Sequence, residues 1–268
     1  MWRRPQREAM ASEPQKAEPL ILFFASRKDD LARCLSCELV KRARRIQCFD
    51  ESDLFSATPF TFKRSGQKIS GHLKIDGERI PIRNISGVFV RFLREWWPGC
   101  EFDLQDQMFV YHETMAAWFN LLTSLPCPVI NRFSLGWWLQ DLNYPLLLGK
   151  RFSEQLDIPM MSLEPSISYG VRLLPTNPDM SRNSASIYLV GKEMFAANDD
   201  AKAVIPLLLR QPVALARWQY DNDISFCRLD FELKSKPLLK HIETFPLLQS
   251  ETKSVVENVV SALAGVFL

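Results

Sequence analysis

Hydrophobic residues occur first in short unbroken runs and later in alternation with polar residues. Residues 20–24 read Leu-Ile-Leu-Phe-Phe, a pattern typical of a strand covered on both faces. A helix is expected next, with Ser26 as its cap and a basic cluster at its end, and a second short strand at 46–49. This order predicts a β-α-β unit, the start of an open parallel sheet with a right-handed crossover.

A hairpin and further buried elements are predicted up to residue 160. Asp76-Gly77 separates two alternating runs, 71–75 and 78–82, and is a strong hairpin signal because a type I′ turn needs positive φ. The other expected elements are strands at 58–62, 85–92 and 126–131 and helices at 103–124 and 144–156.

The second half has an antiparallel pattern after an irregular Ser-, Pro- and Asn-rich stretch. We expect a hairpin at 187–197, strands at 224–233 and 238–242, and a docked helix at 255–268. The predicted fold is α/β, with an open parallel-sheet domain followed by a smaller α+β antiparallel lobe. The expected divisions are a disordered tail at 1–18, a first domain at 19–160, a linker at 161–186 and a C-terminal lobe at 187–268.

Composition and charge exclude some classes of function. The net charge of +2 over 268 residues gives no reason to expect a nucleic-acid or membrane partner. No apolar run approaches the ~18 residues that a membrane span needs, and residues 1–18 lack the apolar stretch of a signal peptide. A cytoplasmic location is therefore expected, with Met10 as an alternative start to Met1.

Signatures of common catalytic sites are missing from the sequence. Neither a Gly-x-x-x-x-Gly-Lys-Ser/Thr phosphate loop nor a Gly-x-Ser-x-Gly elbow is present. The pair Cys34 and Cys37 lies in the middle of a predicted helix, whereas redox pairs of the thioredoxin type lie at a helix start. No catalytic residue is assigned from the sequence.

Several segments, taken in order along the chain, resemble the ATP-grasp superfamily, and in particular the microviridin-type ligases that modify ribosomal peptides. They are 128–132 (Pro-Val-Ile-Asn-Arg), 143–146 (Asn-Tyr-Pro-Leu) and 156–159 (Leu-Asp-Ile-Pro). The opening 22–30 and the strand 88–91 fit the same first domain. The resemblance implies a pre-ATP-grasp-like domain and makes Asn131 and Asn143 candidate ligand-binding residues.

The C-terminal part is similar to the same family. Residues 188–197 resemble its Val-Gly-Asp-x-Val-Phe-Ala hairpin, 228–231 its Gly-x-Asp-Phe strand, and 242–246 its Leu-Glu-x-Asn-Pro segment. The resemblance implies ATP and Mg²⁺ as cofactors, a peptide substrate whose carboxylate is activated as an acyl phosphate, and Asp230 and Glu243 as candidate metal ligands.

Departures from the family pattern change the predicted function. Phe245 replaces the oxygen-bearing Asn, and Phe cannot bind magnesium. Tyr144 replaces a Lys, and the span from Pro159 to Ile187 is too short for the lobe that clamps the nucleotide. We therefore expect a degenerate ATP-grasp protein, a non-catalytic or partner-dependent component that binds a peptide or protein. The alternative is an active ATP- and Mg-dependent carboxylate–amine ligase with a reduced nucleotide site.

The candidate residues each have a structural alternative. Arg91 closes a buried strand where open α/β sheets bind ligands, so it is a candidate anion-binding residue, with an ion pair to Glu113 as the alternative. Asp230 and Glu243 are either metal ligands or ordinary strand residues, for example paired with Arg228 or Lys240. The pairs Trp96-Trp97 and Trp137-Trp138 either line a peptide groove or pack between the two halves.

Overall fold

The computed structural model describes residues 19–50, 60–66, 68–75, 77–91, 103–132, 144–161, 183–246, 248 and 251–268. The strands are β1 (Leu20–Ala25), β2 (Arg45–Phe49), β3 (Phe60–Ser65), β4 (Lys68–Ile75), β5 (Glu78–Pro81), β6 (Ile85–Arg91), β7 (Val129–Ile130), β8 (Ser184–Val190), β9 (Glu193–Ala196), β10 (Phe226–Glu232) and β11 (Leu238–Glu243). The helices are α1 (Asp30–Lys41), α2 (Leu104–Ser124), α3 (Tyr144–Leu156), α4 (Ala201–Leu209), α5 (Pro212–Asp221) and α6 (Lys253–Val266). None of the helices in these ranges is both long and apolar enough to span a bilayer.

The first sheet is parallel, in the order β2-β1-β6-β7. All six residues of β1 are buried, because helices α1 and α6 cover one face of the sheet while α2 and a hairpin sheet cover the other. The continuous apolar run of β1 is the consequence of this double coverage. The predicted open parallel sheet is thereby confirmed.

The start of α1 corrects one expectation. Asp29, rather than Ser26, caps the helix: its Oδ1 accepts a hydrogen bond from the amide of Ala32 at 3.0 Å. The backbone carbonyl of Ser26 instead accepts from the amide of Asp29, in the turn before the helix. The cap is therefore a charged side chain at a buried position, which matters for the site described below.

The hairpin sheet has the order β3-β4-β5. Ile75 pairs with Glu78 across the predicted turn, and Gly77 has a φ of +83°, a value that favours glycine. The Asp76-Gly77 signal therefore located this hairpin correctly, although Asp76 itself lies outside the described residues.

The third sheet is antiparallel, in the order β11-β10-β8-β9. One face is apolar and packs against α3, α4 and α5, with Phe152 and Trp218 at the centre in an edge-to-face contact. The opposite face is polar over its central strands. Helices α4 and α5 were not expected from the sequence.

Helix α6 joins the first and third sheets. Its apolar face shares one core with α1 on the first sheet and with Tyr188 and Phe226 on the third. Phe267, just after α6, packs directly over Gly87 of β6, where a larger residue would clash. The expected division at residue 160 stays a prediction, although α3, which precedes it, packs on the third sheet.

Candidate functional site

Arg91 lies at the carboxyl end of β6, as the sequence predicts, and its side chain is only 1% exposed. Its Nε lies 2.6 Å from Oδ2 of Asp29, the residue that caps α1. Its Nη1 donates a hydrogen bond of 3.0 Å to the carbonyl of Pro246, in the segment that follows β11. Its Nη2 has no hydrogen-bond partner among the residues that the structure describes.

This geometry identifies the structural partner of Arg91. The ion pair is with Asp29, not with Glu113, whose side chain is exposed on α2. A buried guanidinium needs such a partner because transfer of an unpaired charge out of water is very costly. Binding of an external anion by Arg91 stays a prediction, and only Nη2 remains to make it.

Asn131 follows β7, and its side chain bonds entirely to the third sheet and its following segment. Its Nδ2 donates to the carbonyl oxygens of Phe226 at 2.6 Å and Thr244 at 2.8 Å. Its Oδ1 accepts from the amides of Phe226 at 2.8 Å and Ser225 at 3.1 Å. Both donors and the acceptor of the amide are therefore used within the protein.

Arg91 and Asn131 together hold the same piece of chain, residues 244–246, which we call the 244–246 segment. Its first carbonyl binds Asn131 and its last binds Arg91. The amide between them, that of Phe245, donates to Oε1 of Glu243 at 3.2 Å. Open α/β sheets usually bind ligands at the carboxyl ends of their strands. Here Arg91 and Asn131 both bind the protein's own backbone at that edge, and Nη2 of Arg91 is left without a partner among the described residues.

The polar face of the third sheet consists of two rows of side chains across β8, β10 and β11. One row is Tyr188, Arg228 and Glu243, which are directly opposite one another in the pairing register. The next row is Ser186, Asp230 and His241. Residues two apart on a strand share a face, so all six side chains project from the same side.

Asp230 is buried at 5% exposure, and both of its oxygens have partners. Ser186 Oγ donates to Oδ1 at 2.6 Å. Arg228 Nε lies 3.1 Å from Oδ1 and 3.2 Å from Oδ2. The alternative expected from the sequence, an ion pair with Arg228, is therefore present in the structure.

Glu243 has partners for both oxygens as well. Besides the Phe245 amide on Oε1, His241 Nε2 lies 3.6 Å from Oε2. Burial alone would raise the pKa of Glu243, but the neighbouring His241, the hydrogen bond from the Phe245 amide and the charge of Arg228 outweigh it and lower the pKa. Glu243 is therefore held as a carboxylate by the protein itself.

Tyr188 extends this network toward α6. Its hydroxyl donates a hydrogen bond of 2.8 Å to Oε1 of Glu251, just before that helix. Burial is the main cause that raises the pKa of Tyr188, and the negative charge of Glu251 adds to it. Tyr188 is therefore a neutral donor that links the polar face of the third sheet to the helix that packs on the first.

These contacts allow a test of whether the residues fit the magnesium ion that the sequence resemblance implies. Magnesium requires oxygen ligands in a near-octahedral arrangement. The oxygens of Asp230 and Glu243 face an arginine, a hydroxyl, an amide and an imidazole, and Phe245 supplies no oxygen. Within the described ranges, no group of three or more His, Cys, Asp or Glu side chains is placed to hold a metal ion. The residues present therefore do not fit magnesium.

Comparisons with solved structures give the class of fold. The structure of macrocyclase MdnC bound with precursor peptide MdnA from Microcystis aeruginosa MRC matches with a TM-score of 0.67 at 12% identity, over 92% of this chain and 99% of that one. A Chryseobacterium gregarium RiPP-associated ATP-grasp ligase in complex with ADP and a leader and core peptide matches with a TM-score of 0.62 at 12% identity, over 93% and 96%. The ATP-grasp ligase PsnB complexed with precursor peptide PsnA2 and AMPPNP also gives 0.62, at 11% identity, over 96% and 100%.

The chain therefore has the fold of the peptide-modifying ATP-grasp ligases, and the fold expected from the sequence resemblance is confirmed. No protein-family model matches the sequence, and no curated protein matches it either. At identities of 11–12% the likeness defines the fold and assigns no activity to this chain.

Some candidates cannot be placed. Asn143 and the pairs Trp96-Trp97 and Trp137-Trp138 lie outside the described residues, as do residues 162–182 of the expected linker. Their proposed roles stay predictions. Cys34 and Cys37 are exposed free thiols on α1.

Proposed function

We propose that this chain is a degenerate ATP-grasp protein that binds a peptide or protein partner in a peptide-modification pathway without itself activating a carboxylate. One observation carries the proposal: the four candidate side chains that the structure describes are bonded to the protein's own chain, and only Nη2 of Arg91 lacks a partner among the described residues. Arg91 and Asn131 hold the 244–246 segment, and Asp230 and Glu243 face side chains and an amide of the same lobe.

The chemistry of ligation gives this observation its weight. Phosphoryl transfer depends on metal ions and cations arranged around the phosphates, and loss of one such group commonly costs orders of magnitude in rate. Asp230 is already paired with Arg228, whose positive charge opposes the approach of a metal ion to the same carboxylate. The sequence departures at Phe245 and Tyr144 act in the same direction.

The peptide partner is inferred from the fold neighbours. The solved structures with this fold include complexes with a precursor peptide or with a leader and core peptide. We infer that a protein that keeps this fold retains peptide binding when its metal site is altered. The proposed partner is accordingly a peptide, with no nucleic acid and no membrane.

The test is peptide selection followed by measurement of affinity. A displayed random-peptide library is selected on the purified chain, and the enriched peptides are measured by fluorescence anisotropy with and without ATP and Mg²⁺. We expect saturable binding whose Kd does not change when ATP and Mg²⁺ are added. No enrichment above an unrelated control protein would contradict peptide binding.

The alternative, an active carboxylate–amine ligase with a reduced nucleotide site, is favoured by the presence of ADP or AMPPNP in four of the matching structures. It makes the opposite prediction in the same assay. Peptide binding would then tighten in the presence of ATP and Mg²⁺, and ADP would be released on incubation with the selected peptide.

A further inference from the structure

Arg228 occupies a central position on the polar face of the third sheet. It stands in the middle strand, between Tyr188 on one side and Glu243 on the other. Asp230 lies two residues further along the same strand and therefore shares this face with Arg228.

The guanidinium is held tightly to the nearby carboxylate. Its Nε contacts both oxygens of Asp230, at 3.1 and 3.2 Å, and the two side chains are 14% and 7% exposed. A pair this well buried is screened little by salt. Removal of one partner would leave an uncompensated charge, which is strongly unfavourable.

The charge of Arg228 also reaches the second candidate metal ligand. Arg228 lies directly opposite Glu243 in the pairing of β10 with β11, so its side chain and that of Glu243 are neighbours on the same face. A single fixed cation therefore interacts with both carboxylates that the sequence resemblance assigns to a metal. A bound divalent cation would compete for the same two groups and be repelled by the guanidinium.

We propose that Arg228 is a built-in cation that takes the electrostatic place of a divalent metal ion between Asp230 and Glu243. This inference rests on the proposed function: the chain itself supplies the positive charge beside the two carboxylates. It assigns to Arg228 a positioning role: Arg228 fixes Asp230, and Asp230 in turn accepts from Ser186 on β8.

The experiment measures cation binding directly. Mn²⁺, which accepts carboxylate and water ligands, is titrated into the full chain and followed by electron paramagnetic resonance and calorimetry. Five proteins are compared: wild type, Asp230→Asn, Arg228→Gly, Arg228→Gly/Asp230→Asn, and Lys234→Gly. Lys234 is the matched control because it is also a cation beside a carboxylate two residues away, Glu232 at 3.3 Å, but on an exposed surface.

We expect wild type and Lys234→Gly to lack a saturable Mn²⁺ site, and Arg228→Gly to gain one with an affinity at least about tenfold higher than wild type. The gained site should disappear in the double variant. Saturable binding by wild type that Asp230→Asn abolishes would overturn the proposal, as would an Arg228→Gly protein that is folded but no better at binding Mn²⁺.

The proposal stays testable if Arg228→Gly does not fold. Recovery of folded protein on addition of Mn²⁺, or in the double variant, would then support a buried charge that needs a cation. Failure of both to restore folding would overturn it. Peptide binding is not measured in any of these arms, so failure of this inference is distinguishable from failure of the proposed function.

Discussion

Replacement of Asn131 by alanine removes the side chain that joins the end of the first sheet to the third. Four hydrogen bonds of 2.6–3.1 Å are lost, to Phe226, Thr244 and Ser225, at a residue only 7% exposed. At about 1 kcal/mol of net stability per hydrogen bond, the expected loss is about 4 kcal/mol in the free energy of unfolding. A chain of this size loses roughly 2–4 °C of Tm per kcal/mol, which gives a fall of roughly 8–16 °C.

The assay is urea unfolding followed by circular dichroism and tryptophan fluorescence, since agreement of the two probes tests whether the lobes unfold together. The matched control is Asn120→Ala. Asn120 makes one hydrogen bond, to the carbonyl of Ala116 at 2.9 Å, on the exposed side of α2, and its loss should cost under about 0.5 kcal/mol. An Asn131→Ala protein as stable as Asn120→Ala would refute the inference that the contacts of Asn131 stabilise the joining of the first sheet to the third.

Three further predictions concern the packing and charges around the two lobes. Arg91→Met should lower the free energy of unfolding by about 3–5 kcal/mol because it leaves the buried carboxylate of Asp29 without its partner. In equilibrium unfolding, the double variant Arg91→Met/Asp29→Asn should lose less than the sum of the losses of the two single variants. Gly87→Ala should lower the free energy of unfolding by about 1–3 kcal/mol because the added methyl group meets the buried ring of Phe267. Gly265→Ala lies at an open helical position and should raise Tm. Equal shifts in Tm for the two variants would contradict both packing arguments. Because the pKa of Glu243 is lowered in the folded chain, its ionisation stabilises the protein above its ordinary pKa of 4.5, and this stability is lost as the pH falls through the folded pKa. The difference in free energy of unfolding between wild type and Glu243→Gln should therefore decrease from pH 7 to below pH 4. A difference that does not change with pH would show that the ionised form of Glu243 is not stabilised by folding.

Local patterns in the sequence were sufficient for much of the fold. The apolar run of β1, the Asp76-Gly77 turn and the helix capped by Asp103 are all encoded within a few residues, and each is confirmed. Helices α4 and α5 were missed: Pro206 lies inside the first and Pro212 begins the second, and both residues weaken a helical signal.

The contacts at the candidate site could not be read from the sequence in the same way. Asp29 lies 62 residues before Arg91, and the partners of Asn131 lie 94 to 113 residues beyond it, so neither pairing leaves a local pattern. The sequence did place both residues at the carboxyl edge of the first sheet, since that follows from where strands end. It could not show that the 244–246 segment would use them.

The central claim is that the protein's own chain has taken the groups that a nucleotide and its metal would need. Its most direct test is calorimetric titration of ATP into the purified chain, with and without Mg²⁺. The account predicts no magnesium-dependent, saturable binding at micromolar concentrations. Micromolar binding that requires Mg²⁺ and is abolished by Asp230→Asn or Glu243→Gln would contradict it and favour the alternative of an ATP-dependent ligase.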